Sequence, residues 1–310
     1  MIAVLAGGVG AAKFLQGLVR VVPESDLVVI GNTGDDAVIH GLHISPDLDT
    51  VTYALAGASN PETGWGIAGD SFRTMDALDR YGAATWFRLG DLDIATHLYR
   101  SERLASGATL SQVTAEIVRA WGVGFSLLPM SDDPVRTVIT LQSGDVVDFQ
   151  EYFVHRRHSE PVRTVDFSGL SNAGAAPGVI EALEGAEAIL LAPSNPVLSL
   201  GPILAVAGVD ETLRNRRSDV VAISPIVAGH ALKGPADHLL EELGHEASAL
   251  GVARLLAPVA GNFVLDVEDA SLESSITSLD MHSLITETVM GTPKIATQLA
   301  QRTLEFARKT

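Results

Sequence analysis

Short apolar runs that end in glycine, proline or serine recur along the chain, and several are followed by residues with helical spacing. Ile2-Ala3-Val4-Leu5-Ala6 runs into Gly7-Gly8-Val9-Gly10, which predicts a buried strand and a glycine loop. From Ala11 to Val22, Phe14, Leu15 and Leu18 share one side, so a helix is expected there, ended by Pro23. Leu27-Val28-Val29-Ile30 predicts a second buried strand. Strand, glycine loop, helix and strand within about thirty residues make a βαβ unit, with parallel strands and a right-handed crossover. Later, Ala188 to Ala192 and Asp219 to Ile223 are apolar runs ending in Pro/Ser-containing loops. Thr292-Pro293 places a cap residue before a proline at the first helical position, and Ile295, Leu299 and Phe306 continue a last helix.

The middle of the chain has a different pattern. From about 60 to 130 it reads as mostly helical. Thr109-Leu110-Ser111-Gln112 resembles a capping box, and Leu110, Val113, Ile117 and Trp121 follow at helical spacing. Val135 to Thr140 and Val146 to Phe153 flank Gln142-Ser143-Gly144-Asp145, which predicts a β-hairpin. The expected architecture is therefore an α/β fold, a three-layer Rossmann-like parallel sheet. Residues 1–59 and 160–310 would form its core, and residues 60–159 an inserted helical and hairpin cap. In such sheets ligands bind beyond the C-terminal strand ends, so the loops after strands are the places to search.

Composition narrows the function. Hydrophobic residues make up 46% of the 310 and charged residues 19%, which excludes a disordered chain. A formal charge of −17, with no basic tail, excludes a nucleic-acid binder. With no cysteine, disulfides, zinc-thiolate sites and a thiol nucleophile are all excluded. The N-terminus has no signal-peptide pattern. The apolar stretch from Ala186 to Val209 is interrupted by Pro193, Asn195, Pro196, Ser199, Gly201 and Pro202, so it reads as strand, loop and helix rather than a membrane span. A soluble, cytoplasmic protein is expected.

Six segments carry candidate chemistry. Gly7 to Lys13 offers backbone N–H groups at a helix N-terminus, with Gly8, Gly10 and Lys13 placed for a phosphate; a tight structural turn is the alternative. It is neither a clean dinucleotide fingerprint nor a P-loop. Asn32 to Asp36 brings Asp35 and Asp36 together, and adjacent carboxylates repel unless they share a cation such as magnesium; an Asx turn is the competing reading. In Pro46 to Thr50, Asp47 and Asp49 share a side if the segment is extended, or Asp49 caps a helix from Thr50. His40 and His43 precede it without a third zinc ligand. Trp86, Phe87 and Arg88 could sandwich a flat heteroaromatic ring or pack as core, and Asp91 and Asp93 could cap the helix that holds His97. Ser194 and Asn195 between two prolines, and Ser224 to Gly229 leading to Lys233, complete the set. Of only four lysines, Lys13 and Lys233 lie in these loops.

Together these segments resemble one family, the 2-phospho-L-lactate transferases of coenzyme F-420 biosynthesis, known as CofD. The resemblance spans nearly the whole chain. It rests on Gly7 to Lys13, Asn32 to Asp36, Pro46 to Thr50, Gly64-Trp65-Gly66, Trp86 to His97, Leu128 to Asp133, Pro193 to Pro196 and Lys233 to Ala236. It implies transfer of a phospho-lactyl or phospho-enolpyruvyl unit from a guanosine diphosphate-linked three-carbon acid to the ribityl hydroxyl of the deazaflavin Fo, releasing GMP. It also implies Mg2+ and a homodimer. By motif position Asp49 and Arg88 would contact Fo, with Trp86 shaping its pocket. Asp49 and Asp35 would be catalytic, and Asp35, Asp36 and Asp49 would hold the metal. Gly8, Gly10, Lys13, Ser194, Asn195 and Lys233 would bind phosphate and guanosine. Two other readings stay open. One is a non-enzymatic nucleotide-sugar-binding regulator of the same superfamily, whose members lack the Asp49 and Arg88 segments in this form. The other is a nicotinamide-dependent oxidoreductase, which the Gly31-Asn32 ending of the second strand disfavours.

Overall fold

The computed structural model describes residues 1–309. Seven strands form one parallel sheet, in the spatial order His282–Ile285, Asn262–Leu265, Val220–Ile223, Ala188–Leu191, β1 (Ile2–Ala6), β2 (Leu27–Gly31) and Ser126–Pro129. Their apolar runs are buried on both faces, as a parallel sheet covered by helices requires. Alternation within each run then splits the core in two. Ala3, Leu5, Ile189, Leu191 and Ala222 face one layer of helices, while Ile2, Val4, Leu190, Val221 and Val264 face the other. This is the three-layer α/β sandwich that the periodicity predicts.

The helix after β1 begins earlier than expected. α1 spans Gly8–Leu18, so the glycines themselves form its first turn. This is permissible because N–H groups in a first turn need no intrahelical partner. Phe14, Leu15 and Leu18 are fully buried, as their spacing predicts. The capping box at Thr109 is present: its Oγ1 accepts from Gln112 N at 3.3 Å, and Gln112 Oε1 accepts from Thr109 N at 3.1 Å. Thr292 likewise caps the C-terminal helix Pro293–Ala307. The apolar stretch from 186 to 209 resolves into the strand Ala188–Leu191 and the helix Leu200–Ala205. Among the described residues no helix is long and apolar enough to cross a membrane.

The middle segment departs from the expectation in two places. Ser126–Pro129 lies within the stretch read as an insertion, yet it pairs with β2 as the edge strand of the main sheet. It is too short for periodicity to distinguish it from the helix before it. The hairpin is also shorter. Arg136–Leu141 pairs with Val146–Asp148, and Val162–Ser168 adds a third antiparallel strand on its other side. Beyond Asp148 the chain turns helical because the Asp148 carboxylate accepts the Glu151 N–H at 2.8 Å.

The close packing of α1 against the C-terminal helix depends on Gly17. A β-carbon there would lie 2.3 Å from the Ala296 carbonyl oxygen, and backbone on both sides leaves no flexible atom to yield. Gly17→Ala should gain about 1 kcal/mol of helix propensity. Overpacking of about 1–3 kcal/mol should outweigh that gain and lower the denaturant midpoint without loss of helical circular dichroism.

Candidate active site

A cleft of about 540 Å³ opens above the C-terminal ends of the sheet, within the range of small-molecule sites. Its walls come from loops after five strands: Gly7–Lys13 after β1, Asn32 and Asp35 after β2, and Pro193–Asn195, Ser224–Pro225 and Thr288–Gly291 after later ones. It lies where strand order reverses about β1, with β2 on one side and Ala188–Leu191 on the other. That is the location expected for a doubly wound sheet.

The glycine loop is fixed by its neighbours. Gly8 has φ of +76°, a conformation that favours glycine. At Gly10 a β-carbon would sit 2.3 Å from the Pro193 carbonyl oxygen, so the two loops approach backbone to backbone. Ser194 secures this approach: its Oγ accepts from Gly7 N at 3.3 Å and donates to Gly7 O at 2.9 Å. Asn195 turns inward on its own loop, its Oδ1 accepting from Val197 N and Leu198 N. Lys13 and Lys233 both line the cleft. Lys233 Nζ donates to Thr63 O at 2.9 Å, and partial burial together with the charge of Lys13 lowers its pKa.

The Gly8 N–H, expected to face a phosphate, already donates to Asp47 Oδ1 at 2.7 Å. Neither sequence reading of Asp47 and Asp49 anticipates this. α2 spans Pro46–Leu55, so both residues lie in its first turn, two residues apart, and face different neighbours. Asp47 meets α1 and also accepts from Asn32 Nδ2 at 2.9 Å. Burial raises its pKa to about 6, against the lowering effect of those two hydrogen bonds. Asp35 is raised well above the usual carboxylate range, by burial first and then by Asp47 and Asp36. Asp36 is also raised by burial, but it is not among the cleft-lining residues; its Oδ2 accepts from Ser45 Oγ at 2.7 Å.

Asp49 is held by a residue that the sequence reading did not single out. α4 spans Asp91–Ala105, and Arg100 in its interior is 1% exposed. Arg100 donates Nη1 to Asp49 Oδ2 at 3.1 Å and Nη2 to Asp49 Oδ1 in a two-point ion pair. Burial opposes the guanidinium charge, but the Asp49 carboxylate outweighs it and raises the pKa of Arg100. His97, also 1% exposed, places Nδ1 3.2 Å from Arg100 Nη1 and Nε2 3.2 Å from Asp93 Oδ2. Asp93 Oδ1 accepts from the Tyr53 hydroxyl at 2.7 Å. Asp49, Asp93 and His97 form the one set of three potential metal donors among the described residues; His40 and His43 belong to no such set.

Asp91 and Asp93 do not simply cap their own helix. Asp70 accepts from Leu92 N and Asp93 N, at the start of α4. In return Asp91 accepts from Arg73 N and Thr74 N, at the start of α3 (Arg73–Asp79). Arg88 lines the cleft mouth, paired with Asp76 at 2.9 Å and lying 4.8 Å from the Phe72 ring centre. Trp86, expected against a flat ligand, is not among the cleft-lining residues and stacks on His155 at 5.0 Å. The cleft's aromatic lining comes instead from Tyr53, Trp65, Phe87, Phe149 and Phe153, the last two of which follow the hairpin where no strand forms.

Asp49→Asn removes the counter-charge from a buried guanidinium. It should lower stability by about 3–5 kcal/mol in denaturant titration. Asp47 gives a second test. Its folded pKa of about 6 lies above the unfolded 3.8, so its contribution to stability is complete below about pH 3.8 and is lost as pH rises through 6. Asp47→Asn should flatten the decline in stability between pH 4 and 6, leaving the part due to Asp35 and Asp36; an unchanged slope would assign the titration elsewhere.

Known proteins resemble the chain over nearly its whole length. Residues 2–288 match the family model for 2-phospho-L-lactate transferase, CofD. The chain is 39% identical over 313 residues to a phosphoenolpyruvate transferase of Streptomyces griseus subsp. griseus, covering 99% of this chain and 98% of that one. It is 38% identical over 298 residues to a 2-phospho-L-lactate transferase of Methanosarcina mazei, covering 96% and 97%. A solved structure of a UPF0052-family protein from Bacillus halodurans shares the fold, with a TM-score of 0.61 at 15% identity over 98% of each chain. The chain belongs to the CofD family of 2-phospho-L-lactate transferases.

Proposed function

We propose that the cleft transfers a phospho-lactyl or phospho-enolpyruvyl unit from a guanosine diphosphate-linked three-carbon acid to the ribityl hydroxyl of Fo, releasing GMP. The observation that carries this reading is the make-up of the cleft lining: the carboxylates of Asp35, Asp47, Asp49 and Asp93, the cations Lys13 and Lys233, and the aromatic rings of Tyr53, Trp65, Phe87, Phe149 and Phe153. A diphosphate ester needs the cations, and a deazaflavin ring suits the aromatic walls. The acceptor oxygen attacks the phosphorus that bears the acid. The new O–P bond forms as the bond to the bridging oxygen breaks, and GMP leaves with that oxygen. Asp49 orients the hydroxyl and receives its proton. Lys13 and the free first-turn N–H groups of α1 hold phosphate oxygens, and Arg88 contacts Fo at the mouth.

Magnesium suits the oxygen donors here. Asp35 and Asp47 are cleft-facing carboxylates whose raised pKa values reflect burial and, for Asp35, the charge of its neighbours, which a divalent cation offsets. Of the three ligands expected from the sequence, Asp35 keeps that role. Asp36 lies outside the cleft lining and Asp49 is engaged by Arg100. When bound, the ion neutralises diphosphate charge and stabilises the leaving GMP phosphate. Relatives of both names stand at nearly equal identity, which leaves the two donors to be told apart by assay. The test is to supply Fo, magnesium and each activated acid (lactyl, enolpyruvyl, glyceryl) separately and weigh the products. One Fo phosphodiester with stoichiometric GMP is expected; no adduct with any donor would overturn the proposal.

A further inference from the structure

The Asp49 carboxylate faces the cleft with both oxygens already engaged by one cation of the chain itself. Resting on the transferase reading above, we infer that Arg100 is a positioning residue of this site, fixing Asp49 toward the acceptor hydroxyl in the place a metal ion would otherwise take. Asp49 is thereby a carboxylate for the acceptor and not a ligand of magnesium.

Three observations carry the inference. First, the contact is two-pointed. A planar guanidinium with paired donors sets the plane of a carboxylate, which a single ammonium or a rotating hydroxyl does not. Second, the guanidinium is itself held. Nη1 also reaches His43 O at 3.4 Å and His97 Nδ1 at 3.2 Å. A guanidinium only donates, so His97 Nδ1 accepts and the ring hydrogen sits on Nε2, which lies 3.2 Å from Asp93 Oδ2 without a hydrogen bond. Asp93 is in turn tied to Tyr53. Tyr53, Asp93, His97 and Arg100 thus stand behind Asp49 on two helices, joined by two hydrogen bonds and one close contact. Third, the potential metal set Asp49, Asp93 and His97 has the Arg100 guanidinium within hydrogen-bond distance of two of its three members. A divalent cation bound by those three would be pressed against a fixed positive charge. Asp35 and Asp47, which Arg100 does not touch, remain for magnesium.

The test separates positioning from folding and from the transferase reading. Arg100→Lys keeps the charge and loses the two-point hold. It should lower kcat at least tenfold and raise the KM for Fo at least tenfold, while the KM for the activated acid and the magnesium half-saturation stay within twofold of wild type. Unchanged kinetics, or equal losses for both substrates, would overturn the inference. The neutral pair Asp49→Asn with Arg100→Gln removes both buried charges together and so guards against a variant that does not fold. Titrated with Mn2+ by electron paramagnetic resonance in the presence of GDP, it should bind the metal within twofold of wild type; a tenfold loss would make Asp49 a ligand and sink the idea. This second measurement needs no turnover. A wild-type enzyme that makes no adduct therefore overturns the transferase reading without deciding the role of Arg100.

Discussion

Carboxylates withdrawn from water at the rim of the sheet are the constraint around which the rest of the cleft is arranged. Asp35, Asp47 and Asp49 are each less than a tenth exposed, and burying charge is costly unless something answers it. The chain answers in three ways. Arg100 supplies a full counter-charge to Asp49. Backbone and carboxamide N–H groups of Gly8 and Asn32 supply partial ones to Asp47. Asp35, with a long 3.4 Å contact from Asn32, is left with the least. The gradient from fully paired to scarcely paired gives three acidic residues separate chemical characters within one wall.

The placement of that wall follows from the parallel sheet. Parallel strands deliver every following loop to the same end, so residues far apart in sequence converge without long excursions. Gly7 meets Ser194, and Gly10 meets the Pro193 carbonyl, because β1 and Ala188–Leu191 are neighbours in register. The glycines allow a backbone-to-backbone approach that any side chain would block.

Much of this was legible in the sequence. Uninterrupted apolar runs followed by glycine announced the strands, and the loops after them did prove to line the cleft. Asp35, Asp49, Lys13, Ser194 and Lys233 converge on it, although Lys13 and Asp49 stand within α1 and α2. What was not legible has physical reasons. Arg100 is one of several charged residues within a helix, and only the fold shows that its side chain turns inward. Trp86 is an aromatic near an arginine, a pattern that fits a ligand sandwich and core packing alike; it stacks on His155. Ser126–Pro129 is too brief for periodicity to assign. Asp47 and Asp49 look equivalent in the sequence, and only the helix start at Pro46 turns one toward α1 and the other toward Arg100.

The exchange of caps between Asp70 and Asp91 reaches further than two helix ends. Each carboxylate closes the first turn of a helix that begins beyond the other, so α3 and α4 start as an interlocked pair. Asp93 is among the residues whose N–H groups Asp70 holds, and His97 and Arg100 follow one and two turns later on the same rigid rod. The azimuth of that rod is therefore set at the molecule's wet edge, by a residue that does not itself line the cleft. Variation at Asp70 would act like a tuning peg, rotating the backing of Asp49 as a unit while leaving every cleft-lining side chain chemically unaltered.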